Sequence, residues 1–263
     1  MYYKHWLTRF ILRKDFFRRA KGRIDSYVRK ATKDDFQDLV FITQHSSPEI
    51  IFDCGANVGF VTHLFLSLFP KAHVYSFEPN PAVSEKLLAS YQDDQRVSVF
   101  QQAITRKGAK LSFRQNSNTG VSSFFEPAGY NKSHWAKKEG KTIEVSAVSL
   151  DEFCEEHTLN HIDILKLDLE GAEYDAVSGA EGLLSKQRIG VIYTEVNFVP
   201  FYQGHHLFDE LVMFLRSRNY HLFNLYAPHE TSIRQATCTN AIFVSQSTRD
   251  ELEAFWGRKE CGW

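Results

Sequence analysis

Ile50-Ile51-Phe52-Asp53-Cys54-Gly55-Ala56-Asn57-Val58-Gly59 is the stretch whose reading decides the fold. Ile50–Phe52 is a short, wholly apolar strand, and Val58–Leu68 reads as a helix. Between them lies a tight turn of the pattern D-x-G-x-N-x-G, in which Gly55 and Gly59 let the backbone bend sharply and pass close to a ligand. Working outward, Val74–Phe77 predicts a second strand and Ala82–Tyr91 a helix with Val83, Leu87, Leu88 and Tyr91 on one side. Val97–Gln101 is a third strand. Short apolar strands alternating with helices of about ten residues argue for parallel β-α-β units.

Residues 105–147 interrupt the alternation. They are polar, carry Gly108, Gly120, Gly129 and Gly140, and hold two strand-like stretches, Lys110–Arg114 and Thr142–Val148. Asn116–Glu139 between them is too long for an idle connection and reads as a lid or binding segment. The pattern resumes with a capping box, Ser149 and Glu152, which starts a short helix. Then come a strand at Ile162–Leu167, a helix at Glu173–Leu184, a strand at Val191–Thr194 and a helix at Phe208–Ser217. The last strands, Tyr220–Tyr226 and Ala241–Ser245, are joined by the polar segment His229–Thr239. No linker divides the chain. The reading is one domain over residues 46–263, preceded by an N-terminal extension over 1–45 whose residues 4–30 form a basic amphipathic helix.

Composition bounds the function classes. The chain has 263 residues, 43% of them hydrophobic and 24% charged, which is globular and excludes disordered, collagen-like and disulfide-dense proteins. No apolar run approaches the roughly 20 residues of a membrane span. The net charge of -1 hides an asymmetry: residues 1–30 carry ten Lys/Arg and two Asp, leaving 21 of the 31 basic and 30 of the 32 acidic residues to the rest. That acidic body is not a nucleic-acid binder. The basic segment suits a helix that packs on the domain or on a dimer partner with its basic face in solvent, or one that lies on an anionic membrane surface. Cys54, Cys154, Cys238 and Cys261 lie far apart with no CxxC pair, so they read as reduced thiols of a cytoplasmic protein.

The chemistry concentrates at strand ends. Glu78, in Phe77-Glu78-Pro79-Asn80-Pro81, closes the second strand, where a carboxylate accepts the ribose hydroxyls of a nucleoside. The G-x-G-x-x-G fingerprint for a pyrophosphate is absent. Asp53 at the turn would repel a pyrophosphate and suits a cationic amine. A nucleoside joined to an amino acid through a sulfonium fits both ends, and that ligand is S-adenosylmethionine. Asp168, in Leu165-Lys166-Leu167-Asp168-Leu169-Glu170-Gly171-Ala172-Glu173, closes the fourth strand and should lie beside the first turn, near the sulfonium. Glu170 and Glu173 could simply favour a helix N-terminus.

In this order, Asp53-x-Gly55-x-Asn57-x-Gly59, Phe77-Glu78-Pro79 and the Lys166-x-Asp168-x-Glu170-Gly171-x-Glu173 run resemble the FkbM family of methyltransferases, over about Ile50 to Val244. Gly120-Val121-Ser122-Ser123 and Ser149-Leu150-Asp151 are similar to its pattern as well. The resemblance implies a class I methyltransferase fold: an α/β, Rossmann-like, seven-stranded, mostly parallel sheet with helices on both faces and the last strand antiparallel. It implies S-adenosyl-L-methionine as donor and O-methylation of a sugar, glycan or natural-product hydroxyl. On this chain it would place Asp53, Gly55, Asn57 and Gly59 against the methionine part, Glu78 on the ribose with Asn80 nearby, Gln102 and Ala103 beside the adenine, and Asp168 facing the methyl group.

Candidates for the general base at strand ends are Asp168, Glu195 and, in the loop after the fifth strand, His205. A divalent cation bridging Asp168 and Glu195 could also lower an acceptor's pKa. Phe124-Phe125 and His134-Trp135 in the long segment either contact the acceptor or anchor the segment. Two rival readings remain: a nucleoside-binding module without catalysis, and an NAD-dependent oxidoreductase, against which Asp53 and the missing third glycine speak.

Overall fold

A computed structural model describes residues 35–115, 122–128 and 141–256. The basic stretch 4–30, Gly120, Val121, His134, Trp135 and Cys261 lie outside the described residues. Two sheets organise the rest. The larger has seven strands in the order β3-β2-β1-β7-β8-β10-β9: β1 (Ile50–Cys54), β2 (His73–Phe77), β3 (Val97–Phe100), β7 (Ile162–Leu167), β8 (Ile189–Asn197), β9 (Tyr220–Glu230) and β10 (Ala236–Ser245). Strands β1, β2, β3, β7 and β8 pair in parallel, and β10 runs antiparallel to both β8 and β9. This is the class I methyltransferase fold expected from the sequence. The smaller sheet, in the order β4-β6-β5, is built from β4 (Ala103–Ile104), β5 (Ala109–Gln115) and β6 (Lys141–Val148), so both strand-like stretches of the long insertion are strands.

Side-chain alternation along each strand sends two apolar sets to opposite faces. Ile51, Val74, Ile164, Val191, Ile242 and Val244 face one core, with Phe36, Leu39 and Ile42 of α1 (Asp35–Thr43) and Leu64 and Phe65 of α2 (Phe60–Leu68). Phe52, Phe77, Leu165, Leu167, Ile192 and Phe243 face the other. There they meet α4 (Leu150–Glu156), α5 (Glu173–Ser178), α6 (Glu181–Ser185) and α7 (Phe208–Arg216). The last residues of the expected 1–45 extension therefore pack onto the sheet. Asp35 accepts the Tyr193 hydroxyl at 2.6 Å, and Asp38 accepts the Tyr226 hydroxyl at 2.6 Å.

Two expectations are revised. The helix read over Glu173–Leu184 is two helices, α5 and α6, because Asp151 of α4 accepts the Gly182 and Leu183 N–H groups at 2.6 and 3.0 Å and starts a new helix there. A Cβ on Gly179 would lie 2.3 Å from the Thr105 carbonyl oxygen, so the chain at the break passes hard against the small sheet. The polar stretch His229–Thr239 is mostly strand: β9 and β10 extend into it, and only a tight turn closed by Arg234 N–H to the Thr231 carbonyl (2.9 Å) separates them. Periodicity also passed over α1 and the last helix, α8 (Gln246–Trp256). The Ser149–Glu152 capping box is present, with both reciprocal bonds made.

Gly55 sits at φ 78, and a Cβ there would lie 2.0 Å from the Asp168 carbonyl oxygen. Gly204 sits at φ 73 with nothing within 4 Å of its Cβ position. The Gly204→Ala variant should therefore carry only the left-handed backbone cost, about 1–2 kcal/mol. Gly55→Ala should add a clash with backbone that cannot swing aside, raising the loss to about 3–5 kcal/mol. Urea unfolding of both variants beside the wild type measures the difference, and equal losses would contradict this account.

Candidate active site

The carboxyl ends of β1, β2 and β7 meet at the glycine turn. Gly55 and Ala56 N–H groups donate to the Phe77 carbonyl at 3.0 and 2.9 Å, and the Asp168 N–H donates to the Cys54 carbonyl at 3.1 Å. The turn is thus held from both sides. Asn57 follows at φ 50 and Gly59 at φ 87, where a Cβ would lie 2.7 Å from Leu87 and 2.6 Å from Tyr91. The Tyr91 hydroxyl donates to the Gly59 carbonyl at 2.7 Å and closes the turn against α3 (Pro81–Tyr91).

Asp53 is the fourth residue of β1. Its side chain is 0% exposed and points at the α2 face. Thr62 Oγ1 donates to Asp53 Oδ2 at 2.7 Å, and Lys166 Nζ lies 3.1 Å from Oδ1 as an ion pair. Lys166, itself 4% exposed, also donates to the Gly55 carbonyl at 3.0 Å and the Cys54 carbonyl at 3.3 Å, and lies 3.9 Å from Asp168 Oδ2. The amine that Asp53 meets is therefore Lys166. Sequence reasoning did not single Lys166 out. Its signal was available: β1 and β7 are neighbours, and a lysine between Leu165 and Leu167 needs a buried carboxylate opposite it. The register pairs Asp53 with Lys166.

Glu78 sits one step beyond β2, 8% exposed. Its Oε2 accepts the Asn57 N–H at 3.0 Å and its Oε1 the Asn80 N–H at 2.9 Å, so this carboxylate bridges the β1 and β2 turns. Burial pushes its pKa up to about 7, against the pull of those two N–H groups and of Lys166. Asn80, 1% exposed, caps α3 through the Ala82 N–H at 3.2 Å and takes the Gln115 amide at 2.8 Å on the same oxygen, while its Nδ2 is buried with no hydrogen-bond partner. Gln102 is half-buried after β3, and Ala103 is inside the small sheet's core, leaving only its backbone to face a ligand.

The second carboxylate run folds back on itself. Glu173, 5% exposed, accepts the Leu169 N–H at 2.7 Å and the Gly171 N–H at 3.1 Å, and burial pushes its pKa up to about 7. It closes the turn in which Glu170 (φ 53) and Gly171 (φ 105) are both left-handed. Asp168 is left at the mouth, half-buried. Glu170 accepts the Tyr202 hydroxyl at 2.7 Å on its carboxylate and Ser123 Oγ at 2.7 Å on its carbonyl. Those two bonds bring three loops together: the one after β7, the one after β8, and residues 122–128 of the long insertion. Gln203 N–H to the Glu126 carbonyl and Ala128 N–H to the Phe201 carbonyl, both 2.8 Å, tie the last two further. Phe124 packs on Phe113 of the small sheet at 5.1 Å, as an anchor.

Glu195 is half-buried on β8 opposite Asn240. His205 lies beyond β8, 8% exposed, beside Gly171. Among the described residues no group of three or more His, Cys, Asp or Glu is placed to hold a metal ion.

A glycine turn after β1, an acidic residue closing β2 and a second acidic residue closing β7 on this strand order define a class I methyltransferase. The sequence model of the Methyltransferase FkbM domain matches residues 53–222, and the chain belongs to the FkbM methyltransferase family. It is 30% identical over 176 residues to the 2-O-methyltransferase NoeI of Sinorhizobium fredii, covering 64% of this chain and 71% of that one. It is 24% identical over 164 residues to the hexuronic acid methyltransferase AglP of Haloferax volcanii, covering 61% of this chain and 62% of the relative. The crystal structure of an FkbM methyltransferase from Methylobacillus flagellatus aligns at TM-score 0.47 and 17% identity over 74% of this chain, which spans 44% of that longer one.

Removing Lys166 leaves the Asp53 charge buried without a partner. Lys166→Met should lower the unfolding free energy by about 3–5 kcal/mol, and pairing it with Asp53→Asn should recover part of that loss. A denaturant double-mutant cycle tests this, and additive losses would show the two side chains to be independent.

Proposed function

We propose that the protein transfers a methyl group from S-adenosylmethionine to a hydroxyl of a sugar or glycan acceptor. The observation that carries the reading is the Glu78 carboxylate, held rigid at the end of β2 by two backbone N–H groups and kept near neutrality by burial. The residues fit the donor. Glu78 offers lone pairs to ribose hydroxyls, the buried Asn80 Nδ2 is a donor without a protein partner, and the turn Gly55-Ala56-Asn57-Val58-Gly59 brings backbone close to the methionine part. In this reading Asp53 acts through Lys166, fixing the turn's carbonyls, and Gln102 and the backbone of Ala103 flank the adenine. Asp168 stands at the mouth facing the methyl group. Family membership and the sugar-modifying names of two relatives support the acceptor class.

Bound, the donor supplies an electrophilic methyl on a sulfonium. The chain's own work is to hold that methyl in line with the acceptor oxygen, which can supply much of the acceleration, and to take the hydroxyl's proton. Asp168, Glu195 and His205 are the groups at the strand ends able to take it. A metal bridging Asp168 and Glu195 would have only two carboxylates from the described residues.

Isothermal titration with S-adenosylhomocysteine, followed by a screen of labelled donor against sugar and glycan acceptors, tests this function. Because Glu78 is ionised only above about 7, affinity should weaken as pH falls from 8 to 6, and Glu78→Gln should remove both the affinity and its pH dependence. The effect on stability has the opposite sign: Glu78's raised pKa makes its contribution largest below the ordinary value of 4.5 and removes it as pH rises through about 7. Binding that is equal at both pH values would defeat the ribose role, and binding without turnover on any acceptor would favour a non-catalytic module.

The reading extends to a cytoplasmic protein, able to self-associate as a homodimer, that meets a lipid-linked acceptor at the inner membrane surface through residues 1–30. The charge of that segment motivates it, and among the described residues no helix is long and apolar enough to cross a membrane. Full-length protein should sediment with anionic liposomes and lose that association in high salt or on deletion of residues 1–30. Equal sedimentation of the two forms would remove the membrane role.

A further inference from the structure

We propose that His205 is the general base of the transfer, with its Nε2 accepting the proton of the acceptor hydroxyl. The proposal rests on the methyltransferase reading above and chooses among the three groups it left open.

The ring's two nitrogens are in different states. Nδ1 lies 2.6 Å from the Tyr202 carbonyl oxygen, and a proton on Nδ1 makes this short contact a hydrogen bond. The Tyr202 N–H donates to Nδ1 at 3.2 Å in the opposite tautomer, and the shorter carbonyl contact favours the form protonated on Nδ1. With the proton fixed on Nδ1, Nε2 carries the lone pair. Nε2 is buried and has no hydrogen-bond partner. A buried acceptor left unsatisfied in the free protein is costly, and a hydroxyl donor from a ligand satisfies it.

Placement agrees with the role. The His205 Cβ lies 3.5 Å from where a Cβ on Gly171 would stand, so the ring borders the turn that follows Asp168. Tyr202, which fixes the ring, is itself bound to Glu170 of that turn. A chain of contacts therefore links the ring to the turn after Asp168. Gly204, next to His205, is left-handed, with nothing within 4 Å of its Cβ position.

The charges around the ring leave it a neutral base. Burial lowers its pKa, as does His206, while the Tyr202 backbone and Glu210 raise it. Glu170, Glu195 and Glu173 act on the adjoining Tyr202. In the step itself, a lone pair of the acceptor oxygen forms the new O–C bond and the S–C bond breaks with its electron pair remaining on sulfur. The hydroxyl proton passes to Nε2. The products are an ether, a neutral thioether and an imidazolium, which returns its proton to water.

Two measurements test the assignment. Proton–nitrogen correlation spectra of the histidine rings, with His205→Gln identifying the signal, should show the proton on Nδ1 and an unprotonated Nε2. Using an acceptor found by the labelled-methyl screen, His205→Gln should lower kcat by about 100-fold or more, while S-adenosylhomocysteine binding stays within about twofold. The acid limb of the kcat profile, centred below the ordinary histidine value of 6.5, should disappear with it. A proton on Nε2, or kcat held within about threefold with the acid limb intact, overturns this proposal alone. A wild type that binds no S-adenosylhomocysteine overturns the methyltransferase reading, and this assignment falls with it.

Discussion

The ion pair between Asp53 and Lys166 is the interaction on which the rest of the site depends. It joins β1 to β7 at their carboxyl ends, on the face covered by α2, and both partners are almost wholly out of water. Taking two charges from water costs several kcal/mol each, and an ion pair recovers this only with further hydrogen bonds. Here those bonds come from Thr62 on one side and from the carbonyls of Cys54 and Gly55 on the other. The same ammonium that neutralises Asp53 thereby fixes the first two carbonyls of the glycine turn. Its approach to Asp168 extends the network to the mouth of the site. Such a pair adds little to net stability, but it permits few alternative arrangements of the turn.

Around that fixed point, buried carboxylates act as clamps on the backbone. Glu78 gathers N–H groups from the turns after β1 and β2, and Glu173 gathers those of the turn after β7. Each is held near neutrality by two opposed causes, burial raising the pKa and the N–H bonds lowering it. The balance differs in use. Glu173 spends both oxygens on its own loop, which makes it a structural clasp, and with the Tyr202 and Ser123 bonds to Glu170 it holds the left-handed Glu170 and Gly171 in place. Glu78 instead bridges two turns, and the Asn80 Nδ2 beside it is buried with no hydrogen-bond partner.

The fold was largely legible in the sequence, because parallel strands buried on both faces produce apolar runs that helices of regular period separate. Ile162–Leu167 was read to the residue. The misreadings have physical causes. Periodicity cannot see that Asp151 reaches from another helix to restart the chain at Glu181, so α5 and α6 merged. It cannot see that polar residues continue a hairpin when both strands pair to their ends, so β9 and β10 were cut short. In the site, the acidic residues at strand ends were found because carboxylates are conspicuous after apolar runs. Lys166 was not, since a lysine inside a strand looks like an exposed residue until register puts Asp53 beside it.

The two halves of the site differ in how they are built, and the difference bears on acceptor choice. The half around Glu78 is held at strand ends: Lys166 binds the turn's carbonyls, Glu78 takes the Asn57 and Asn80 N–H groups, and Asn80 takes the Gln115 amide of the small sheet. The other half is made of three loops distant in sequence, joined by side chains: Ser123 and Tyr202 both bind Glu170, and Arg114 of the small sheet reaches Glu126 at 2.7 Å. Side-chain joints of this kind can be exchanged without disturbing the sheet, and loops on a rigid scaffold are where specificity varies. Residues 122–128, the described part of the long insertion, take part in these joints. Changes of acceptor between relatives should accordingly fall on the partners of Glu170, and the Asp53–Lys166 pair should stay the same among them.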